Sequence, residues 1–381
     1  MSLSERVTRH QGQLVAHYRK ALKWSQQDLA DALGVSLRTV QRLEQTPMIE
    51  DIDRRGFLVK LLGIPAALMA LENDLTLSGN KVNLVFNDDP MSFLEDIVAT
   101  RWKTHLMGGP LNAAHGLERI VNEVAHFAQQ VRGKAWHQRA MTQLCLVYQL
   151  NGSVASDLMH YEKAFDIYKT AYAVANELQD AELMAAIRAR QGILFMREEQ
   201  PLQAITYLEH GLRLVEGNGY PQLKGNIFML LSEAHAKAGQ AQACWQMIGL
   251  AESTIEQQPS HHERSYRTCN PSAILAHKGV DALLLHDYDR ALRLIDKSLK
   301  NYNPTQTPAH ARFLARKSEA YYGLHMIDEC VTTAETAFTL AKSVGASNTF
   351  ARVNDLRTSL ARSSWKNEPG VRRLGALLAT Q

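Results

Sequence analysis

The sequence predicts an all-α protein with two parts, a small N-terminal domain of short helices and a long solenoid of paired helices. Three observations lead to this fold class. Apolar residues recur at helical spacing along most of the chain, and no segment shows the alternation of a β-strand. A pattern of small and large residues returns about every 40 residues beyond position 150. The charge is unevenly distributed, which sets the first 45 residues apart.

The basic excess of the chain is confined to its N-terminal segment. The 381 residues include 42 lysines and arginines and 39 acids, and 45% of them are hydrophobic. Residues 1–45 hold seven of the basic and four of the acidic residues, and the remaining positions hold 35 of each. A basic head on a neutral body predicts that the head meets a polyanion. The composition excludes a disordered chain, a collagen and a disulfide scaffold.

Residues 14–45 contain two short helical patterns joined by a tight turn. Ser25 stands before the first, and Asp28 follows three residues later, which is an N-cap signature. The apolar stripe of this helix is Leu29, Ala30 and Leu33. Gly34 ends the helix because the turn requires a residue that tolerates positive φ.

The second helix of this segment begins after Ser36 as its N-cap and buries Val40 and Leu43. Two short helices joined in this way form a helix-turn-helix. The segment resembles the Xre-type family of phage-repressor-like regulators. The resemblance rests on Ser25-Gln26-x-Asp28-Leu29-Ala30, on Leu33-Gly34-Val35-Ser36 and on Val40-x-x-Leu43-Glu44.

The resemblance implies a protein that binds double-stranded DNA with its second helix in the major groove. The residues implied to contact DNA are Gln26, Gln27, Ser36, Leu37, Arg38, Thr39, Gln41 and Arg42. Arg38 and Arg42 suit guanine, Gln41 suits adenine, and Leu37 suits a thymine methyl group. Gln26 matches a position that contacts phosphate. The alternative, that the two arginines are merely solvated, stays open at this point.

Residues 57–68 have the spacing of the fourth and fifth helices of such a domain. We expect Phe57, Leu61 and Leu62 in the core, and Pro65 in the first turn of the fifth helix. Arg54-Arg55 is expected to be a solvated helix start or a phosphate contact. The same residues resemble a twin-arginine export motif, but an export signal belongs at the extreme N-terminus. We therefore favour the helix.

The body of the chain is a repeat array. A small residue is followed by sites at +3, +12, +16 and +19, and the +12 sites are separated by 40, 40, 47 and 39 residues. These +12 residues are Ala164, Ala204, Cys244, Ala291 and Cys330. Small residues at the first and +12 sites allow two antiparallel helices to approach closely. The pattern resembles the tetratricopeptide repeat with longer helices, and we interpret Cys244 and Cys330 as inert core thiols.

The domain boundaries follow from these segments. We predict a helix-turn-helix domain over 1–72, an Asn- and Asp-rich linker over 73–90 and a tetratricopeptide-like domain over 91–381, which serves ligand or partner binding and dimerisation. Residues 93–106 and 111–131 are predicted as the two helices of an N-terminal cap. Residues 350–378 are predicted to close the other end, with Trp365 and Leu374 as packing residues.

A DNA-binding head on such a body resembles the RRNPP regulators, which sense peptides, and Xre-type regulators that carry a DRRxFLxxLLGIP segment. The resemblance implies a homodimeric transcription factor, a quorum-sensing type of signal and a short peptide or protein ligand in the concave groove. By repeat phase the groove residues are Gln149, Ser153, Asn226, Met229, Glu233, Arg312, Glu319 and Tyr322. The alternatives are an effector-independent DNA-binding protein whose repeats recruit a protein partner, and a repeat scaffold with a non-binding head.

Other functions find little support in the sequence. No nucleophile elbow, zinc-protease, Walker or dinucleotide motif is present, so we expect no enzyme and no cofactor. An insertion over 256–272 contains His261-His262-Glu263, whose spacing fits no familiar metal site, and we favour a surface loop. The polar start is no signal peptide, and the longest apolar run, 61–71, is shorter than the about 20 residues of a membrane span. We expect a cytoplasmic protein without a membrane segment.

Overall fold

The computed structural model describes residues 11–33, 35–62, 64, 69, 90–133, 135–217, 219–257, 269–300 and 307–379. Within them the secondary structure consists of 18 α-helices, and no β-strand occurs in these ranges. The chain divides into two compact units, Met1–Val85 and Phe86–Gln381. The predicted linker, residues 73–90, lies outside the described residues apart from its last position. The predicted all-α fold class is confirmed.

The N-terminal unit is built from four described helices around one small core. They are α1 (Gln11–Ala21), α2 (Gln26–Leu33), α3 (Leu37–Gln45) and α4 (Ile52–Leu62). Helix α1 packs on α3 and α4, and α2 packs on α3. Val15, Leu29, Val40 and Leu58 are fully buried at the centre. The predicted apolar faces of α2 and α3 therefore form the core, while Gly34 lies outside the described residues.

The connection after α3 runs back along the start of α1. Gln11 donates its backbone N–H to the Pro47 carbonyl at 2.9 Å, and its side-chain oxygen accepts from the Ile49 N–H at 2.8 Å. Gly12 donates its N–H to the Thr46 carbonyl at 3.1 Å. A Cβ atom at position 12 would lie 2.7 Å from that same carbonyl oxygen, so this close approach requires glycine.

Two predictions about helix α4 are wrong. Phe57 is 49% exposed and does not belong to the core. Arg55 is buried and donates from Nη1 to the Met69 carbonyl at 3.0 Å, so it is neither solvated nor available to phosphate. The reason is helical phase, since Arg55, Leu58 and Leu62 share one face and Phe57 points away from it. Leu62 is buried as predicted, Leu61 is half-buried, and residues 65–68 lie outside the description.

In the second unit, the described residues form five consecutive antiparallel helix pairs, with one further pair before them and one after them. The first of the fourteen helices are α5 (Pro90–Ala114), α6 (Leu117–Gln130), α7 (His137–Asp157), α8 (Tyr161–Glu177), α9 (Ala181–Arg197), α10 (Pro201–Leu214) and α11 (Pro221–Lys237). The others are α12 (Ala241–Ile255), α13 (Pro271–Leu284), α14 (Tyr288–Lys300), α15 (Thr307–Gly323), α16 (Ile327–Val344), α17 (Ser347–Arg362) and α18 (Pro369–Ala379).

The predicted repeat spacing describes how each pair is packed. All five residues at the +12 sites are fully buried. At three first sites, a Cβ atom added to glycine would lie 2.5–2.7 Å from the large +16 residue of the partner helix. These contacts join Gly152 to Tyr168, Gly192 to Leu208 and Gly279 to Ile295. The first site is small because the +16 side chain occupies the space above its backbone.

The predicted N-terminal cap is only partly correct. Helix α5 extends beyond Leu106 and kinks at Gly109, whose φ is +83°, and Pro110 follows the kink. The next helix begins at Leu117 rather than at Leu111, because Gly116 adopts a left-handed conformation with a φ of +69°. Helix α5 also packs on α15 and α16 as well as on α7, so it does more than cap the first repeat.

The array curls until its two ends meet. Asn348 at the start of α17 donates from Nδ2 to the Ser156 carbonyl at 3.0 Å and accepts from the Tyr161 hydroxyl at 2.6 Å. The Gly109 backbone abuts the Val344 carbonyl. As predicted, Leu374 is buried at the C-terminal end, and Trp365 packs there with a ring-centroid distance of 6.0 Å to Tyr322. The second unit is therefore a closed turn of helix pairs.

Two predictions concern segments that lie wholly or largely outside the described residues, namely the possible metal site in the 256–272 insertion and the apolar run over 61–71. His261-His262-Glu263 lies outside them, and within the described ranges no cluster of three or more His, Cys, Asp or Glu residues could hold a metal ion. None of the helices in these ranges combines the length and the apolar character needed to cross a membrane.

Candidate nucleic-acid interface and repeat cavity

The predicted recognition helix α3 begins with a side-chain cap. Ser36 Oγ accepts from the Thr39 backbone N–H at 3.2 Å and bonds the Thr39 hydroxyl at 2.8 Å. These two side chains therefore fix the first turn of α3. The cap confirms the predicted helix start and leaves the following residues in regular helical geometry.

The outer face of α3 is polar and exposed. Arg38, Gln41 and Arg42 are exposed, and Leu37 is 38% exposed. Within the part of the chain that the structure describes, neither Arg38 nor Arg42 has a carboxylate partner. The spacing of 38, 41 and 42 places the three polar side chains on one side of the helix, opposite the buried Val40 and Leu43.

Helix α2 starts with reciprocal bonds between Ser25 and Asp28. The Ser25 N–H donates to Asp28 Oδ2 at 2.7 Å, and the Asp28 N–H donates to Ser25 Oγ at 3.1 Å. These bonds to Ser25 lower the pKa of Asp28. Gln27 is exposed and donates from Nε2 to Asp31 Oδ1 at 2.8 Å.

A buried ion pair joins α1 to the end of α3. Arg19 donates from Nε to Glu44 Oε1 at 2.6 Å and from Nη1 to the Trp24 carbonyl at 2.6 Å. Gln26 donates from Nε2 to Glu44 Oε2 at 2.7 Å. Burial raises the pKa of Glu44, but the bonds from Arg19 and Gln26 outweigh it and leave that pKa below the usual value. One carboxylate thus fixes α1, α2 and α3 relative to one another.

The predicted DNA-contacting residues consequently fall into two groups. The side chains of Gln26, Gln27, Ser36 and Thr39 make the intramolecular bonds just described, whereas Leu37, Arg38, Gln41 and Arg42 form the exposed face. The sequence reasoning missed the positioning role of Arg19 and Glu44. Glu44 was part of the quoted motif, but pairing it with Arg19 requires knowing that α1 crosses α3.

The second candidate site is a cavity of about 570 Å³ inside the curled repeat unit. First helices of the pairs line it, namely α9, α11, α13 and α15, together with α17 and the turn between α7 and α8. This agrees with the predicted use of first helices for the concave face. The volume lies within the range of about 300–1,000 Å³ that is typical of small-molecule sites.

An ion-pair network runs along one wall of the cavity. Arg316, which is buried, donates to Glu319 Oε2 at 3.3 Å and to Glu233 Oε1 at 3.4 Å. Arg352 donates from Nη1 to Glu319 Oε1 at 2.9 Å, and His277 Nδ1 lies 3.8 Å from Glu233 Oε2. Burial raises the pKa of Glu233, but the neighbouring cations, Arg316 first, outweigh it and hold that pKa below normal.

A second ion-pair group lies where the ends of the array meet. Arg197 donates from Nη2 to Asp157 Oδ1 at 2.6 Å, and His105 Nε2 lies 2.8 Å from Asp157 Oδ2. Burial raises the pKa of Asp157, but Arg197 and then His105 outweigh it, so the carboxyl remains ionised. Lys237, which also lines the cavity, donates from Nζ to Glu199 Oε1 at 2.6 Å and to the Met196 carbonyl at 2.9 Å.

Half of the predicted groove residues line this cavity, and half do not. Glu233, Arg312, Glu319 and Tyr322 do. Gln149 is buried and accepts from Arg190 Nε at 3.1 Å, and Ser153 is buried against the Tyr168 hydroxyl at 3.1 Å. Met229 is buried in the core, and Asn226 is half-buried outside the cavity lining. All eight residues were predicted from repeat phase. Phase does not separate positions that face the cavity from positions that face the neighbouring helix.

Arg316 and Arg352 are the groove residues that the sequence reasoning missed. Arg316 stands one turn after Arg312 and one turn before Glu319, so it shares their face of α15. This spacing is a signal that the sequence contained. Arg352 had no such signal, because its place depends on α17 closing the array.

Three buried groups belong to the repeat core rather than to either site. Burial raises the pKa of the Cys330 thiol to about 12, and burial together with the adjacent Asp281 raises the pKa of Cys244. Both cysteines therefore stay protonated, as predicted for inert core thiols. Asp281 is fully buried, and burial raises its pKa well above its usual value, which favours the protonated form of the carboxyl.

Comparisons with known proteins support the N-terminal assignment. A helix-turn-helix family model matches residues 15–45, which span most of α1 and all of α2 and α3. The predicted helix-turn-helix is thereby confirmed, and it indicates a DNA-binding regulator. No curated protein matches the chain.

The chain is similar over part of its length to two solved structures. BtubC (BKLC) from P. vanneervenii has 18% identity and a TM-score of 0.43, over 60% of this chain and 92% of that one. A tetratricopeptide repeat protein from Parabacteroides merdae has 12% identity and a TM-score of 0.31, over 76% of this chain and 99% of that one.

Proposed function

We propose that this protein is a sequence-specific DNA-binding transcriptional regulator whose repeat unit senses a ligand, with a short signalling peptide as the first candidate. The observation that carries the proposal is the exposed face of α3, where Arg38, Gln41 and Arg42 stand beside Leu37 on a helix held by the Arg19–Glu44 pair. Arginine and glutamine are suited to guanine and adenine edges in the major groove.

The proposed mode of DNA binding is that of a homodimer. Two heads would occupy half-sites about one helical turn, 10–10.5 base pairs, apart. In this mode Arg38 and Arg42 read bases, and the capped helix starts at Ser25 and Ser36 lie towards the phosphates. A regulator acting on chromosomal DNA works in the cytoplasm of a bacterium, which is where we place it.

The proposed sensing mode uses the repeat cavity. A ligand held by residues of α9 to α17 would bridge helices from several repeats and from both ends of the array. It would regulate DNA binding only if it bound one conformation of the dimer more tightly than another. The cavity residues Glu233, Arg312, Glu319 and Tyr322 are the proposed contacts.

The test is a selection of bound fragments from a random double-stranded DNA pool with the full-length chain. We expect an inverted repeat with the half-site spacing given above, and a changed affinity when extract from the producing cells is added. Enrichment without any effect of extract would favour an effector-independent regulator whose repeats recruit a protein. No enrichment at low salt would reject DNA binding and leave the repeat scaffold as the function.

A further inference from the structure

Three arginines line the wall of the repeat cavity formed by α15 and α17. Arg316 lies at the floor with 8% of its side chain exposed, Arg352 is half-buried at 31%, and Arg312 is exposed at the rim. The guanidinium of Arg312 stacks over the Phe313 ring with a distance of 4.9 Å to its centroid. The cations therefore form a path from the solvent into the cavity.

Two of these arginines, Arg316 and Arg352, are not fully satisfied by the carboxylates bonded to them. Arg316 reaches Glu319 and Glu233 at 3.3 and 3.4 Å, which is longer than the about 2.7–2.9 Å of a strong charge-assisted bond. A guanidinium carries five N–H donors, and the bond of Arg352 to Glu319 uses its Nη1. Both arginines therefore retain the capacity to bind a further acceptor.

Electrostatics point in the same direction. Burial, and then the charge of Arg352, lower the pKa of Arg316 despite the two glutamates. The carboxylates of this part of the lining are Glu233, Glu319 and Asp355, and the cations are Arg312, Arg316 and Arg352, with His277 beside Glu233. An added negative charge at this wall would lower the repulsion between Arg316 and Arg352, so the site favours an anion.

The rest of the cavity lining indicates what the remainder of an anionic ligand would be. Leu230, Val280, Phe313 and Leu356 contribute apolar surface next to the charged wall. The array is closed at Asn348, so the cavity is bounded on the side where an open solenoid would let an extended chain leave. A compact ligand fits this enclosure better than a long peptide that follows a groove.

We propose that the repeat cavity holds its ligand by a carboxylate or phosphate group bound to Arg316 and Arg352 and guided by Arg312, with a short apolar part against Leu230 and Phe313. This inference rests on the proposed sensing function and names the chemistry of the ligand. A free organic acid, a phosphate ester and the C-terminal carboxylate of a short peptide all supply such a group.

The test measures thermal unfolding of the full-length chain at constant ionic strength, with sodium chloride as the reference. The probes are inorganic phosphate, succinate, the tripeptide Ala-Ala-Ala and its C-terminal amide. We expect phosphate, succinate or the free tripeptide to raise Tm by about 2–4 °C, and the amide to leave it unchanged. A response to the tripeptide acid alone would identify a peptide terminus, and a response to phosphate or succinate would identify a free small anion.

Variants locate the binding. Arg312→Gln and Arg352→Gln should each weaken probe binding by roughly tenfold or more, measured by calorimetry. Arg352→Lys keeps the charge without the fork and should give an intermediate loss. The matched control is Arg373→Gln, because Arg373 is exposed on α18 and pairs with Glu335 outside the cavity. Arg38→Gln with Arg42→Gln controls for anions that bind the head, and both controls should keep the Tm shift.

Two results would overturn the inference: no probe stabilises the wild-type chain beyond chloride, or the cavity variants retain the full response. Helical circular dichroism and DNA binding by each variant report whether it has folded. DNA selection separates this outcome from the proposed function. Selected DNA without anion binding rejects the inference alone, whereas anion binding without selected DNA rejects the regulator and leaves the anion site in place.

Discussion

Arg38 and Arg42 in the N-terminal unit are exposed, and within the described ranges neither has a carboxylate partner. Arg316 and Arg352 in the repeat unit lie in a cavity and bond Glu233 and Glu319. The exposed pair can meet phosphate with little desolvation, at the cost of sensitivity to salt. The enclosed pair is held in place by carboxylates, so an incoming group must match its geometry. In the proposed function, the same side chain therefore meets a polyanion in one unit and a small ligand in the other.

Arg19 has a structural role, because it pairs with Glu44 inside the head. Removing the Glu44 carboxylate should have the largest effect on stability. In Glu44→Ala the buried guanidinium loses its carboxylate, and we expect a loss of about 3–5 kcal/mol in the free energy of unfolding of the head. Residue-resolved hydrogen exchange of the amides in α1 to α3, over a series of denaturant concentrations, measures the stability of the head separately from that of the repeat unit. Glu335→Ala breaks the pair with Arg373, whose side chain is 61% exposed against 21% for Glu335, and should cost much less than Glu44→Ala. Equal costs would refute the structural role of Arg19.

Arg38→Ala and Arg42→Ala test the exposed use of arginine. Each should reduce the affinity for a selected DNA by about 1–3 kcal/mol, without changing the stability of the head. Fluorescence anisotropy over a series of salt concentrations checks this. Arg54→Ala is the comparison, because Arg54 is also exposed in the same unit but lies on α4, where a phosphate contact is the most that we expect. Its loss should therefore weaken binding less, and equally for every DNA sequence. If Arg54→Ala weakens binding as much as Arg42→Ala, α3 is not the recognition helix.

Gly152→Ala tests whether close pairing of helices supports the enclosed site. The new Cβ would lie 2.5 Å from the Tyr168 ring, so overpacking should destabilise the repeat unit by about 1–3 kcal/mol. Gly249→Ala is the control. Gly249 lies at an exposed position of α12, and an added Cβ atom there would contact no neighbouring helix. That change should stabilise the unit by about 0.5–1 kcal/mol. Differential scanning calorimetry distinguishes the two directions, and destabilisation by both would argue against the close-approach explanation.

The last prediction compares two carboxyl groups with opposite pH behaviour. The pKa of Glu44 is lowered in the folded head, so its contribution is present above about pH 4 and is lost as the pH falls. The pKa of Asp281 is raised, so the repeat unit loses stability as the pH rises from about 4 towards the folded-state pKa. Asp281→Asn should flatten the unfolding free energy of the repeat unit between pH 4 and 7. An unchanged slope would mean that Asp281 is ionised.

The repeat architecture could be predicted because it depends on local spacing. Small residues at Gly152, Gly192 and Gly279 and large ones sixteen positions later reflect contacts within one helix pair, and such contacts recur in each repeat. The helix-turn-helix was predictable for the same reason, since Ser25 and Ser36 cap helices a few residues away. Phe57 and Arg55 were misplaced because helical phase alone did not show which face of α4 meets the core.

The cavity was only half predictable because its wall depends on contacts far apart in sequence. Glu233, Arg312 and Glu319 follow the phase of their own helices. The approach of Arg352 to Glu319 depends on the total curvature of the array up to α17. This curvature is the sum of the small rotations between successive helix pairs, so the sequence of one repeat does not determine it. The buried positions of Gln149 and Ser153 likewise follow from the neighbouring helices and not from their own.

The meeting of Asn348 with Ser156 and Tyr161 also constrains how this protein can change over evolution. Open solenoids gain and lose repeats readily, because each unit contacts only its neighbours. Here an added or deleted pair would move α17 past or short of the first pair and would separate bonds that span about 190 residues. The circumference of the turn thus limits the number of helix pairs. The cavity can therefore diversify only through substitution of the side chains that line it.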